Sequence, residues 1–331
     1  MRTHLLAACV ALLSVSSAAA ADWLRPGTGD GRPVWGIGGG IRFAIAPGSV
    51  EGPDDGGPRG LIRVGYPAVG GDGYVMINFI SIEPTVGTAL GQSELEKGGD
   101  DNPGKRLSIG VGGDGQVDTG KDGVERLHVR IDCEKFANQA HVWVDAEIRA
   151  DRPNEVHFTV HAFPDSAPIK QCLLSATMGN KCRVRRVELA NGELSSTAIM
   201  GGYTGRDFAD DHFEGAGRLA KNSAGDVVVP FTSDETDPAS VHPFPNDPLM
   251  WYYPGRPLTQ YWRKPAGTPQ NGLALRVNGR FQYWLSDQPV PGGVAFENVD
   301  LRDNFTDGEQ WVYGITPDAP RQVIDDVPPR P

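Results

Sequence analysis

The chain has 331 residues, a formal net charge of −11 at pH 7 and 39% hydrophobic residues. This length and composition fit a globular protein with a sizeable core. The acidic balance excludes a protein that tracks a phosphate backbone, so we expect no nucleic-acid partner. Beyond residue 21 no apolar run is long enough to cross a bilayer, which predicts no membrane span.

The first residues have the pattern of a secretory signal peptide. Arg2 precedes an apolar run over residues 5–13, and small residues close the segment at 18–21. A positive start, a short apolar run and an alanine-rich cleavage site are the features of an export signal. We therefore expect a signal peptide over residues 1–21 and a secreted or periplasmic protein.

The rest of the chain is dominated by short alternating apolar runs. The 43 glycines and 27 prolines lie between these runs rather than in blocks, as turns between many strands would. Residues 74–83 are almost continuously apolar, which is typical of a central strand. The predicted strands cover residues 41–45, 61–66, 74–83, 107–111, 124–133, 140–149, 156–163, 226–231, 258–264, 274–284, 294–301 and 310–315, with further strands in 170–178 and 182–190.

Helical periodicity is scarce. Its best candidate, residues 207–221, is interrupted by Gly215 and Gly217, so we expect one or two short helical turns at most. The pattern predicts an all-β protein, a two-layer antiparallel β-sandwich that is jelly-roll-like. We expect one sandwich domain over residues 22–317 and a frayed, proline-rich tail over 318–331.

Residues 281–301 predict two strands joined by a turn rich in proline and glycine. After the turn, Phe296 lies on one parity of the strand and Val299 on the other. Such a slip of the apolar register predicts a β-bulge near Asn298, and bulges often lie beside functional sites. Glu297, at the slip, is therefore a candidate functional residue.

Three cysteines follow the signal segment. Cys172 and Cys182 flank a short segment and could form a disulfide in an oxidising compartment, which would leave Cys133 unpaired. Buried, reduced cysteines are the alternative. Neither a CxxC motif nor a Cys/His cluster points to a metal site.

Carboxyl groups beside aromatic rings suggest carbohydrate chemistry. Cleavage of a glycosidic bond commonly uses two carboxyls, one to protonate the leaving oxygen and one as nucleophile or base. We assign Glu297 as nucleophile or base and Glu83 or Glu94 as the acid. Glu83 ends an apolar run, where burial would raise the pKa of a carboxyl.

The aromatic residues are concentrated in the C-terminal third of the chain. Trp251 and Trp262 are expected to be stacking platforms for sugar rings, because indoles combine apolar area with an N–H donor. Gln260, Tyr261 and Arg263 are expected to position the substrate. The predicted partner is thus a carbohydrate.

Two other activities remain open. In a polysaccharide lyase, an arginine such as Arg263 would neutralise a uronate carboxylate while a histidine or tyrosine removes a proton. His157 and His161 would share one face of a strand, and His161 is a further substrate-binding candidate. A non-catalytic carbohydrate-binding protein is the second alternative.

No cofactor is required by this interpretation, although calcium is possible. Residues 300–309, 234–237 and 100–102 are rich in carboxylate and amide oxygens, but none has the EF-hand spacing.

Residues 92–96, QSELE, resemble the Arg-Ser-Glu-Leu strand of alginate-lyase-type jelly rolls, with Gln92 in place of the arginine. The chain as a whole resembles secreted bacterial carbohydrate-active β-sandwich proteins. This resemblance implies a jelly-roll-like fold and export. The carboxyl groups beside aromatic rings lead us to expect a secreted glycoside hydrolase that acts on a polysaccharide or oligosaccharide.

Overall fold

The structure is a computed structural model that describes residues 21–26, 34–46, 61–67, 74–93, 107–177, 182–233, 258–283 and 287–325. The predicted signal peptide, Glu94 and Trp251 lie outside these residues, apart from Ala21 at the end of the signal segment. Strands are numbered below in chain order.

One antiparallel sheet, sheet A, spans the molecule. In spatial order it contains β1 (Trp23–Leu24), β2 (Val34–Ile37), β3 (Arg42–Ala46), β4 (Leu61–Pro67), β5 (Tyr74–Val86), β12 (Gln171–Thr177), β20 (Ala295–Arg302), β19 (Ala274–Arg280) and β15 (His212–Gly215), and β6 (Ala89–Leu90) pairs with β5.

The second antiparallel sheet, sheet B, packs against it. In spatial order it contains β14 (Glu193–Ser195), β13 (Val184–Glu188), β17 (Val227–Ser233), β18 (Thr259–Lys264), β21 (Glu309–Thr316), β11 (Arg152–Ala162), β10 (Val142–Arg149), β9 (Glu125–Cys133) and β7 (Leu107–Ile109), with β16 (Ala220–Lys221) on β17 and β8 (Gln116–Thr119) on β9.

Alternation of apolar residues explains how the two sheets close. On β9, Leu127, Val129 and Ile131 are fully buried while the residues between them are half-buried. The apolar faces of both sheets form one continuous core, and on β9 the polar residues between the apolar ones face outward. The predicted two-layer antiparallel sandwich is confirmed.

The predicted hairpin and its bulge are also present. β19 and β20 pair directly, with Asn298 opposite Asn278 and Phe296 opposite Gly279, so Glu297 is the extra residue. The first strand is shorter than expected: it ends at Arg280, and residues 281–283 instead turn back to bond with residues 288–290.

Helices are few and short, as expected. They are α1 (Ser196–Met200), a 3₁₀ turn at Ala216–Arg218 and α2 (Pro320–Asp325). Among the described residues no helix has the length and apolar content needed to cross a membrane.

The cysteines are reduced. Cys133, Cys172 and Cys182 are free and buried, and the Cys182 thiol donates a hydrogen bond to the Ile77 carbonyl at 2.9 Å. The disulfide considered between Cys172 and Cys182 is therefore not formed.

The expectation of a frayed tail is wrong as far as residue 325. Val323 and Ile324 of α2 are buried against Val228 and Tyr261 on the outer face of sheet B. Burial of these two apolar side chains stabilises the packing of α2 against sheet B.

Removal of this contact should lower stability. We expect Ile324→Ala to reduce the free energy of unfolding by about 2 kcal/mol, because it deletes a buried aliphatic side chain. Val111→Ala, at a highly exposed position, should change it by less than about 0.5 kcal/mol. Urea denaturation measures both; equal effects would contradict the docking of α2.

Candidate functional site

Two predicted substrate-binding residues lie in the core between the sheets. Gln260 is fully buried and accepts hydrogen bonds from Asn78 and Tyr313. The Trp262 indole is also buried and donates to the Val299 carbonyl of sheet A at 2.7 Å. Because this indole is not accessible to solvent, a sugar cannot stack on it in this structure. Its hydrogen bond instead links sheet B to sheet A.

Tyr261 and Arg263 have the opposite parity on β18 and lie on the outer face of sheet B. Both donate to the Glu155 carboxylate, and Tyr261 does so at 2.9 Å. Burial opposes ionisation of Glu155, but the Arg263 charge and the His157 hydrogen bond outweigh it and hold the pKa of this carboxyl well below its usual range. The chain's own carboxylate thus occupies the groups expected to bind a substrate.

His161 lies elsewhere on the same outer face. Its ring stacks on Trp143 with 4.2 Å between ring centroids, and Nδ1 lies 3.4 Å from Asp307 Oδ2. The whole thickness of the sandwich separates it from the carboxyls of sheet A.

Glu83 and Glu297 are the two predicted residues that share a face, the outer face of sheet A. Alternation explains their neighbours: Val299 and Leu301 of β20 enter the core, so the residues between them point outward. Across β5, β12, β20 and β19 the outward residues form three rows that run perpendicular to the strands. The first row contains Glu83, Leu173, Arg302 and Ala274, and the second contains Ser81, Ser175, Asp300 and Arg276. The third row contains Phe79, Thr177, Asn298 and Asn278.

Glu83 and Glu297 are not close to each other. Glu83 lies opposite Leu173, four residues along β12 from Thr177, which lies opposite Asn298. With about 3.3 Å per residue and about 4.8 Å between strands, the Cα atoms of Glu83 and Asn298 are roughly 16 Å apart, and Glu297 lies one residue farther from Glu83 along β20. Glu297 instead lies 3.8 Å from Arg280. The sequence did not identify the true neighbour of Glu83.

That neighbour is Asp300. A single nitrogen of Arg276, Nη1, lies 3.3 Å from Asp300 Oδ2 and 3.8 Å from Glu83 Oε2. Ser175 donates to Asp300 at 2.7 Å and Ser81 to Glu83 at 3.1 Å. We call Glu83, Asp300 and Arg276 the carboxylate cluster.

Burial gives Asp300 an unusual proton affinity. Loss of solvent raises the pKa of this carboxyl to about 6, although the Arg276 charge and the Ser175 hydrogen bond oppose the shift. A carboxyl with this pKa is partly protonated near neutral pH, which general-acid catalysis requires.

Solvent reaches the cluster from the side of β15. Arg276 is 18% exposed, and its Nε lies 3.1 Å from Asp211 Oδ2, whose side chain is 39% exposed. Two exposed rings stand on this side, Phe208 (42%) and Phe213 (48%). Neither ring is among the predicted stacking platforms, Trp251 and Trp262.

The third row contains unsatisfied polar atoms. Thr177 Oγ1 and Asn298 Oδ1 are buried and have no hydrogen-bond partner within the described part of the chain. They are cross-strand neighbours. Since buried polar groups are normally hydrogen-bonded, this pair could receive a ligand hydroxyl or a water molecule.

The described residues do not assemble a calcium site from residues 300–309. Asp300 accepts a hydrogen bond from Ser175, and Glu309 accepts one from Lys264 at 2.6 Å. Asp307 accepts a hydrogen bond from the backbone amide of Ala162. No group of three or more His, Cys, Asp or Glu side chains in the described ranges could hold a metal ion. The other two acidic segments lie outside those ranges.

No protein-family model, curated protein or solved structure matches the chain.

The burial of Asp300 can be tested through the pH dependence of stability. Its pKa is raised from 3.8 to about 6, so the folded state binds this proton more tightly than the unfolded chain does. The resulting stabilisation is complete below about pH 4 and is lost as the pH rises through 6.

Between pH 4 and pH 8 the free energy of unfolding of the wild type should therefore fall by about 2.4 kcal/mol more than that of Asp300→Asn. Urea denaturation at each pH measures the difference. Asp114→Asn, at an exposed position, is the matched control and should follow the wild type. Parallel curves for the wild type and Asp300→Asn would show that this carboxyl is solvated.

Proposed function

We propose that the protein is a glycoside hydrolase that cleaves its substrate on the outer face of sheet A, with Asp300 as general acid and Glu83 as the second carboxylate. One observation carries the proposal. Because the same Arg276 nitrogen lies near both groups, the two oxygens that face it are at most about 7 Å apart. This limit is compatible with the about 5–5.5 Å of retaining hydrolysis and with the lower end of the about 6.5–9.5 Å of inverting hydrolysis.

The environments of the two carboxyls suit different roles. Asp300, with a pKa raised to about 6 by burial, can hold the proton that the leaving oxygen needs. Ser81 and Arg276 hold Glu83 in one orientation, from which it attacks the sugar or activates water. Arg276 also offsets the repulsion between the two carboxylates, which would otherwise oppose their approach.

Neighbouring groups supply binding contacts of the type that sugars need. The unpartnered Thr177 hydroxyl and Asn298 amide oxygen suit sugar hydroxyls. The exposed rings of Phe208 and Phe213 suit the apolar face of a sugar ring. A substrate would enter over Arg276, where solvent reaches the cluster.

The proposed location is outside the cytoplasm. The support is the export signal over residues 1–21, whose charged start, apolar run and small residues fit a signal peptide. A polysaccharide substrate fits that location, because polysaccharides are too large to cross the cell membrane freely and are therefore accessible to an exported enzyme.

The wild-type protein should release new reducing ends from at least one of β-glucan, xylan, polygalacturonate and alginate. Asp300→Asn and Glu83→Gln should each reduce the rate at least about 100-fold, as loss of a general acid or its partner does. The matched controls Asp114→Asn and Glu193→Gln, on exposed positions of the sheet B side, should keep the wild-type rate.

A reducing-end assay and the absorbance of unsaturated uronates, recorded together, distinguish the alternatives. Products that absorb would indicate a lyase. Binding without any product would indicate a carbohydrate-binding protein. Full activity in Asp300→Asn and Glu83→Gln would place the chemistry away from this cluster.

A further inference from the structure

The three outward arginines of β19 and β20, Arg276, Arg280 and Arg302, differ in their partners. Arg276 contacts three carboxylates, those of Glu83, Asp211 and Asp300, and Arg280 lies 3.8 Å from Glu297. Arg302 has no carboxylate within ion-pair distance in the described part of the chain. Its positive charge is therefore available to a ligand, whereas the charges of Arg276 and Arg280 lie beside carboxylates.

Arg302 is held in a defined position. One guanidinium nitrogen donates to Gln171 Oε1 at 2.6 Å, and Gln171 in turn donates to Asn304. The side chain is half-buried. A guanidinium has five N–H donors in a planar fork, so the bond to Gln171 orients the group and leaves donors for a ligand.

An apolar ring lies beside this charge. The Arg302 guanidinium carbon is 5.4 Å from the centroid of Phe213, which is 48% exposed. In the sheet, Phe213 lies opposite Arg276, and Arg302 shares the first row with Glu83. A charge and a bare ring are thus adjacent, directly beside the carboxylate cluster.

We propose that Arg302 and Phe213 form a subsite for a sugar that carries an anionic group, either the carboxylate of a uronate or a sulfate ester. The guanidinium fork binds the two oxygens of the anion, and the phenyl ring covers the apolar face of the same sugar. This inference rests on the proposed function for its assignment of the neighbouring carboxylates, and it names the substrate class of that site as acidic glycans.

The net charge of the whole chain does not oppose such a ligand. Charges on exposed surface beyond about 8 Å are largely screened at physiological salt, so the groups nearest the ligand decide. Arg276 lies between Glu83 and Asp300 and reduces their repulsion of an anion.

Matched polysaccharides test the subsite. Binding of the full-length Asp300→Asn variant, which does not degrade its ligand under the proposed mechanism, is measured by affinity electrophoresis with polygalacturonate and with its fully methyl-esterified form. Dextran sulfate and dextran form a second pair. We expect at least one charged polymer to bind about 10-fold or more tightly than its neutral counterpart, with a preference that weakens as salt increases.

The contribution of Arg302 is measured by adding a second substitution. Arg302→Gln should abolish the preference for the charged polymer, and Arg302→Lys should retain part of it because the charge remains but the fork is lost. Arg186→Gln, which removes an exposed arginine of sheet B, is the matched control and should keep the full preference. Phe213→Ala should weaken binding of the charged and neutral polymers alike.

The two pairs identify the anion. A preference for polygalacturonate alone assigns a carboxylate, and a preference for dextran sulfate alone assigns a sulfate. The inference is overturned if neither charged polymer is preferred or if Arg302→Gln keeps the preference. A preference in binding without cleavage by the wild type would instead contradict the hydrolase proposal alone, and cleavage of neutral glycans without any preference would contradict the subsite alone.

Discussion

The extra residue in β20 determines which side of the sheet every later residue of that strand faces. Phe296 points into the core, and in a regular strand Asn298, Asp300 and Arg302 would follow it there. The bulge at Glu297 reverses the parity, so Val299 and Leu301 fill the core and the polar residues face outward. Asp300 joins the carboxylate cluster, and Asn298 joins the third row, because of this single insertion.

In three places within the described part of the chain, buried charged groups lie beside groups of opposite charge. Arg276 lies between carboxylates on the outer face of sheet A, Arg263 contacts Glu155 under α2, and Lys264 lies 2.6 Å from Glu309 in the interior. In the last pair, burial raises the pKa of Glu309 to about 7 against the effect of Lys264, and burial also lowers the pKa of Lys264. Burial without a partner would be far more costly. Solvent reaches the cluster on sheet A at Arg276 and Asp211, whose side chains are 18% and 39% exposed.

The sequence predicted the strands well because alternation is a local signal. It could not predict which sheet each strand joins, since this depends on pairing between distant segments. The alternation over residues 258–264 separates Gln260 and Trp262 from Tyr261 and Arg263, but it does not reveal that one pair enters the core and the other is covered by α2. The substrate-binding roles were therefore predicted from residue type alone, without the burial of these side chains.

Asp300 was missed for a related reason. Its carboxylate was read as part of an oxygen-rich run typical of calcium loops, whereas the predicted bulge already placed it on the outward parity of a strand. Its proximity to Glu83 depends on the strand order β5, β12, β20, β19, which brings together residues more than two hundred positions apart. The proline-rich composition of the tail likewise concealed the two apolar residues that dock α2.

The three buried thiols can report how often the two sheets of the sandwich separate locally. Burial raises the pKa of Cys172 well above its usual value, as it does for Cys133, and the Cys182 thiol is bonded to a backbone carbonyl of sheet A. Alkylating reagents attack thiolates, which these cysteines do not form while the sheets are in contact. The rate at which such a reagent labels each cysteine therefore reports how often that part of the native protein opens, without any engineered probe.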